Sequence, residues 1–175
     1  MNRFRIHRLP EAGSTNDLAK EAPIWTVIVA ERQTRGRGRL GRKWYSPPGG
    51  LWLSAAIPPP IPAQGTVARK VAGALSDVTG LPIRYKPPND LVLTGRKLGG
   101  VLVEGVFQGR KPVKAVIGVG VNVNNPAREL PSPLNRQAIS LSDALGSPQE
   151  MEEILRTVLS GIERAFEEAK CQPSR

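Results

Sequence analysis

Twenty residues between two apolar runs constrain this chain more than any other segment. WTVIVA (25–30) and LWLSAAI (51–57) both read as buried strands, and ERQTRGRGRLGRKWYSPPGG (31–50) joins them. Gly36, Gly38 and Gly41 match the spacing of a dinucleotide-binding fingerprint, with WTVIVA as the preceding strand. That fingerprint needs a helix opening at its glycines, and Lys43-Trp44-Tyr45-Ser46-Pro47-Pro48-Gly49-Gly50 cannot continue as one. The segment reads instead as a loop whose glycines let backbone N–H groups approach an anion while alternating arginines supply fixed positive forks. Such a loop is expected to be mobile when empty and ordered by a phosphate. The plainer alternative is a solvated, flexible basic loop.

The charge distribution bears on that choice. The formal net charge is +10, and Arg32, Arg35, Arg37, Arg39, Arg42 and Lys43 follow one another with no acidic residue among them. The last 25 residues carry four Lys/Arg and five Asp/Glu, so the basic charge is focused on the loop. A focused patch suits phosphate, a nucleotide or nucleic acid. One cysteine, Cys171, excludes an internal disulfide, and with one histidine, His7, the chain is not expected to form a Cys/His zinc site or a Cys/His nucleophilic pair of the usual kind. A Ser-His-Asp triad would rest on His7 alone, with no nucleophile motif beside it.

Elsewhere, Ser14-Thr15-Asn16-Asp17 reads as a helix start, with Ser14 as N-cap and an acid three positions on. Residues 64–79 place Val67, Val71, Leu75 and Val78 on one helical face, stopped by Gly80. Pro82 to Lys86 is strand-like and runs into Pro87-Pro88-Asn89-Asp90, where two prolines hold the chain extended. LVL and KLGGVLVEGVF form a hairpin turning at Thr94-Gly95, and VKAVIGVGVNV (113–123) is another strand. After a loop from Asn124 to Pro133 come a short helix near Leu141 and a longer one from about Pro148 to Lys170, whose stripe of Met151, Ile154, Leu155, Val158, Leu159, Ile162 and Phe166 is core. Hairpins beside helices, rather than regular strand-helix alternation, predict one α+β domain over 1–175. No apolar run approaches the ~20 residues of a membrane span, and the start lacks the apolar run, roughly 7–15 residues, of a secretory signal, so a cytoplasmic protein is expected. Gly99-Gly100 and Gly118-Gly120 thin two strands, and close approach by a ligand or backbone is the natural reason.

These residues resemble the biotin–protein ligases from about Gly13 to the last helix. The motifs are STN at 14–16, GRGRLGRKW at 36–44 followed by SPPGGLWLS, ND and KLGGVLVE between 89 and 104, and GVGVN at 118–122. Each is weak alone; four in the family's order and spacing are specific. The resemblance implies a class II aminoacyl-tRNA synthetase-like mixed sheet packed with helices. It implies biotin and ATP with Mg²⁺ as substrates and ion, and a biotin carboxyl carrier protein or equivalent domain as partner. It further implies that Ser14, Thr15 and Gln33 bind the ureido head of biotin, that Gly36, Arg37, Gly38 and Arg39 close over the acyl-phosphate region, and that Gly100, Leu102 and Gly118 line the slot for its rings and chain. Trp44 would stack on adenine, Lys97 would contact both the biotin carboxylate and the phosphate, and Asn89 and Asn122 would meet the nucleotide. Arg37, Arg39 and Lys97 are the residues implied to be catalytic. No metal ligand is assigned, because Mg²⁺ commonly rides on substrate phosphates.

Each residue also has a plainer role: Ser14 as a helix cap, Trp44 as a cover for the sheet, Lys97 as a hairpin lysine, Asn122 as a turn former. Pro87 stands where the family usually has tryptophan, which removes a large side chain beside Lys86. No N-terminal winged helix or C-terminal β-barrel domain is expected within the chain, and hence no DNA binding of the repressor kind. A homodimer is compatible with all of this. Two rivals stand beside the ligase: a lipoate or octanoate ligase or transferase of the same fold, and a small nucleic-acid-binding domain using Trp44 and Tyr45 as stacking platforms. Gln33 with the full Gly-Arg loop opposes the first. Only 5% aromatic residues opposes the second.

Overall fold

The computed structural model describes residues 3–171. Seven strands and five helices follow in the order β1 (Arg5–Ala12), α1 (Thr15–Glu21), β2 (Thr26–Gln33), β3 (Leu51–Ile57), α2 (Gln64–Thr79), β4 (Arg84–Lys86), β5 (Asp90–Leu93), β6 (Arg96–Gln108), β7 (Lys111–Val121), α3 (Leu134–Gln137), α4 (Leu141–Leu145) and α5 (Met151–Cys171). All strands join one sheet in the order β1-β2-β3-β7-β6-β5-β4. β1 and β2 are parallel and every other neighbouring pair is antiparallel. The class is α+β with a mixed sheet, as the element order predicts.

Period-two alternation gives the sheet two different faces. Leu53, Ala55, Val101, Ile117 and Val119 pack with α2 and α5 in the main core, where Val67, Val71, Leu75, Ile154, Leu155, Val158 and Ile162 are buried. α1 lies on the other face, against β2, β3 and β7, with a smaller cluster of Ala19, Ile28 and Val116. The β5–β6 hairpin turns at Thr94 (φ 49) and Gly95 (φ 81), the positive angles that a tight two-residue hairpin turn requires. α2 stops at Gly80, which is left-handed (φ 69) and donates its N–H to Ser76 O.

Two elements went unread and one reading needs correction. The segment 5–12 is a strand, which its sequence conceals, and Leu134–Gln137 is an unforeseen short helix. Ser14 occupies the N-cap position of α1 but makes no side-chain cap hydrogen bond. Asp17, read as the other half of the cap, forms an ion pair with Arg37 instead. No helix among the described residues is long and apolar enough to cross a membrane.

Candidate active site

A cleft of about 400 Å³ opens on the α1 face, over β3, β7 and β6, and falls within the range of small-molecule sites. Its floor follows from cross-strand register. Trp52, Gly120 and Gly100 lie side by side in one row, and Ser54, Gly118 and Leu102 in the next. Ala56, Val116 and Glu104 make the third. Glycines at 100, 118 and 120 lower the floor, but neighbouring side chains fill much of the space gained. A Cβ on Gly118 would collide with Asn16 Oδ1, and one on Gly120 would lie 2.7 Å from Trp44 Nε1. The close approach expected at these strands is therefore made by Asn16 and Trp44.

One end of the cleft is polar and neutral. The N-terminus of α1 brings in the buried residues Ser14, Thr15 and Asn16, and the end of β2 brings in Gln33. Gln33 Oε1 accepts from Thr15 N (2.8 Å), with Thr15 Oγ1 at 3.1 Å, while Gln33 Nε2 donates to Ser46 Oγ (2.9 Å). Thr15 Oγ1 lies 2.7 Å from Ser54 Oγ, Ser54 donates to Asn16 Oδ1, and Asn16 Nδ2 donates to Glu104 Oε2 (2.6 Å). Burial would raise the Glu104 carboxyl, but hydrogen bonds from Asn16 and Lys20 and the nearby Lys20 and Arg37 charges hold it below the ordinary carboxylate range.

The other end is cationic. Arg39, Arg42, Lys43 and Lys97 line it with the carboxylate Asp90, while Arg37, which also lines the cleft, is paired with Asp17 on α1. Lys97, at the start of β6, pairs with Asp90 Oδ1 (2.7 Å) and lies 5.0 Å from the centroid of the Trp44 ring. Trp44 rests on Gly100 and Gly120, edge-on to Trp52.

The Gly-Arg loop is drawn over the cleft by specific contacts. Gly38 N donates to Arg42 O (2.7 Å) and Trp44 N to Gly36 O (2.9 Å), folding the segment back on itself around Leu40 (φ 56) and Gly41 (φ 70). Arg37 grips Asp17 with two bonds of 2.6 Å and lies 3.9 Å from Glu104. The hydrogen bond from Arg37 is the main cause holding the Asp17 carboxyl below its ordinary value, and it raises the guanidinium of Arg37 in turn.

Of the residues singled out in the sequence, Ser14, Thr15, Gln33, Arg37, Gly38, Arg39, Trp44, Asn89, Lys97, Gly100, Leu102 and Gly118 line this one cleft. Two do not. Gly36 is buried behind it, where a Cβ would meet Trp44 O at 2.6 Å. Asn122 is also buried, its Nδ2 donating to Ile139 O (3.2 Å) and its Oδ1 accepting from Asn125 (2.9 Å), so both ends of its amide serve the chain after β7. Asn89 lines the cleft, yet its amide donates to Val101 O (3.0 Å). Lys86 is exposed at the end of β4. Sequence reasoning missed Asp17, Asn16, Ser54 and Lys20 as site residues; Asn16 and Ser54 stood inside quoted motifs, as the third residue of STN and the last of SPPGGLWLS, Asp17 stood in the cap signal, and Lys20 carried none.

Residues 13–122 match the model of the biotin/lipoate A/B protein ligase family. The chain belongs to that family. The bifunctional ligase/repressor BirA of Bacillus subtilis is 34% identical over 152 residues, covering 83% of this chain and 47% of that protein. The biotin–[acetyl-CoA-carboxylase] ligase of Paracoccus denitrificans is 32% identical over 104 residues, 55% of this chain and 43% of that one. The chain spans about half the length of curated relatives such as BirA. Among solved structures, the biotin protein ligase from Aquifex aeolicus in complex with biotin and ATP superposes with a TM-score of 0.81 and 34% identity, covering 93% of this chain and 70% of that one. A putative lipoate protein ligase from T. acidophilum with bound lipoic acid shares the fold at TM-score 0.65 and 13% identity.

Proposed function

We propose that the cleft activates biotin with ATP as biotinyl-adenylate and then passes the biotinyl group to one lysine of a biotin-carrier domain. The carrying observation is the division of the cleft into a neutral hydrogen-bonding end and an end where Arg39, Arg42, Lys43 and Lys97 stand beside the carboxylate of Asp90. A substrate with a polar ring and a distal carboxylate fits that division when it lies with the ring at Thr15 and Gln33 and the carboxylate toward Lys97. The likeness to the Aquifex aeolicus ligase, solved with biotin and ATP, supports the same substrates.

In the first step a biotin carboxylate oxygen bonds to the α-phosphorus of ATP and pyrophosphate leaves. A carboxylate is already a nucleophile, so no general base is needed, and the work of the site is alignment and charge neutralisation. We assign this work to Lys97, Arg37 and Arg39, with Trp44 as the stacking surface for adenine. In the second step the neutral amine of the acceptor lysine bonds to the biotinyl carbonyl carbon, AMP leaves and the amine proton passes to water. Asp90 is the one carboxylate lining the cleft and is paired with Lys97, so Mg²⁺ would be held chiefly by the phosphates. A dithiolane or alkyl head, as in lipoate or octanoate, would leave Thr15 and Gln33 without donors, which disfavours those acids.

The test is transfer. The protein with biotin, ATP, Mg²⁺ and a biotin carboxyl carrier domain is expected to add one biotinyl group to that domain, read by intact mass. No addition, or equal addition when lipoate replaces biotin, contradicts the proposal.

A further inference from the structure

We infer that Glu104, which lies outside the cleft lining, is a positioning residue that fixes the hydrogen-bond polarity of the neutral end through Asn16 and Ser54, so that Thr15 and Gln33 face the substrate as acceptors. The inference rests on the proposal that the cleft takes biotin, and it names the residues that select a ring bearing N–H donors.

The order of protons follows from which atoms can only accept. Glu104 is held ionised between Lys20 Nζ (2.8 Å) and Asn16, and an ionised carboxylate only accepts. Asn16 must therefore turn its Nδ2 toward Glu104 and its Oδ1 toward Ser54. Asn16 Oδ1 can only accept, so the single Ser54 proton goes to it. Thr15 has one proton for two acceptors, Ser54 Oγ at 2.7 Å and Gln33 Oε1 at 3.1 Å; Ser54 has already given its own proton to Asn16, so the shorter contact takes the Thr15 proton and the Thr15–Gln33 contact is left for a substrate N–H to fill. Gln33 is fixed independently, because the backbone N–H of Thr15 points at its Oε1 and Ser46 Oγ takes its Nε2. With the Thr15 proton turned inward, Thr15 Oγ1 keeps two free lone pairs and Gln33 Oε1 keeps one. Ser54 is fully buried and Asn16 and Thr15 nearly so, which shields the chain from competing water.

Substitution within this chain changes proton placement with little change in shape. Ser54→Ala removes the acceptor for the Thr15 proton, which turns to Gln33 Oε1 at 3.1 Å or into the cleft. Glu104→Gln acts from a distance. The Lys20 ammonium holds the new amide oxygen, the new amide nitrogen faces Asn16, and Asn16 turns over. Ser54 then donates to Thr15 and Thr15 to Gln33, which reverses the chain.

The experiment measures the affinity of biotin, and of a cyclic carbamate analogue with one ureido N–H replaced by oxygen, for the full chain and for each variant. Both carbamate isomers are used, so that the N–H facing Thr15 and Gln33 is covered. Melting temperature reports folding. The wild-type protein is expected to prefer biotin over at least one isomer, and either variant to reduce that preference about three- to tenfold, the range of one net hydrogen bond. The Ser54→Ala and Glu104→Gln effects are expected not to add, since both act on one chain. Equal weakening toward biotin and both carbamates, with the preference unchanged in folded protein, overturns the inference. If Ser54→Ala does not fold, Glu104→Gln alone decides. Failure of the wild-type protein to bind biotin at all is a separate outcome: it overturns the proposed function and the inference with it.

Discussion

Glycines line both the loop over the cleft and the strands beneath it, and they do opposite things. In β7, added carbon at Gly118 or Gly120 would strike Asn16 or Trp44. In the loop, a Cβ on Gly38 would find nothing nearer than 3.6 Å and one on Gly41 nothing within 4 Å, while the φ of +70° at Gly41 is what a side chain would resist. The floor is thus defined by volume, and the loop beyond Gly36, where a Cβ would meet Trp44 O at 2.6 Å, by charge and backbone conformation. Substitutions in the floor should act through fit, and those in the loop through pH, salt and local opening.

The largest expected effect separates a floor cation from a surface one. Lys97→Ala should lower the rate of biotinyl-adenylate formation by about two to three decades, the cost of one charge-assisted contact at the reacting centre, with little change in melting temperature. Arg69→Ala, an exposed residue of α2 beside Tyr85, removes the same charge and should leave the rate near wild type. Equal damage by both would dissolve the distinction between site and surface. Next in size is Gly118→Ala, where a methyl displaces Asn16 in a packed wall. Overpacking of this kind costs about 1–3 kcal/mol, and biotin affinity should fall by roughly one decade. Gly38→Ala is the matched loop substitution and should change affinity less than about twofold, since nothing crowds the site.

The ion pair of Arg37 and Asp17 gives the loop a pH dependence of its own. The Asp17 carboxyl is lowered in the folded protein, so its contribution is complete above the ordinary Asp value, about 4, and is lost as pH falls through the lower folded value. Hydrogen exchange across residues 34–45, corrected for intrinsic rates, should therefore accelerate on acidification below about pH 4 and in Asp17→Asn at neutral pH. Exchange in β7 should not follow at neutral pH, and adding biotin and ATP should slow the loop. Loop and β7 amides opening together in Asp17→Asn would mean that the loop is not an independent unit. Gly41→Ala forces a side chain into the left-handed region for about 1 kcal/mol and should be visible in loop exchange and hardly in melting temperature.

The same division explains what the sequence reveals. Strands with two buried faces, such as Leu51–Ile57, and the apolar stripe of α5 declare themselves by periodicity. β1 does not, because RIHRLPEA is an edge strand with most residues exposed and a proline inside it, and nothing alternates. The cleft residues are legible as motifs because their local spacing is short and fixed. Their partners are not: Asp17 meets Arg37 only after the loop has folded over α1, and Glu104 meets Asn16 only after the sheet has brought β6 and α1 together. The Ser14–Asp17 spacing is ambiguous between a cap and a link to the loop, and an arginine twenty residues away decides it. Asn122 shows the converse, a motif residue whose amide is taken up by Ile139 and Asn125.

The central claim is that this cleft activates biotin in particular. ATP–pyrophosphate exchange by the purified chain with Mg²⁺, comparing biotin with lipoate, tests it most directly. Exchange that requires biotin and does not respond to lipoate is the predicted result; exchange that responds equally to both acids, or to neither, contradicts it.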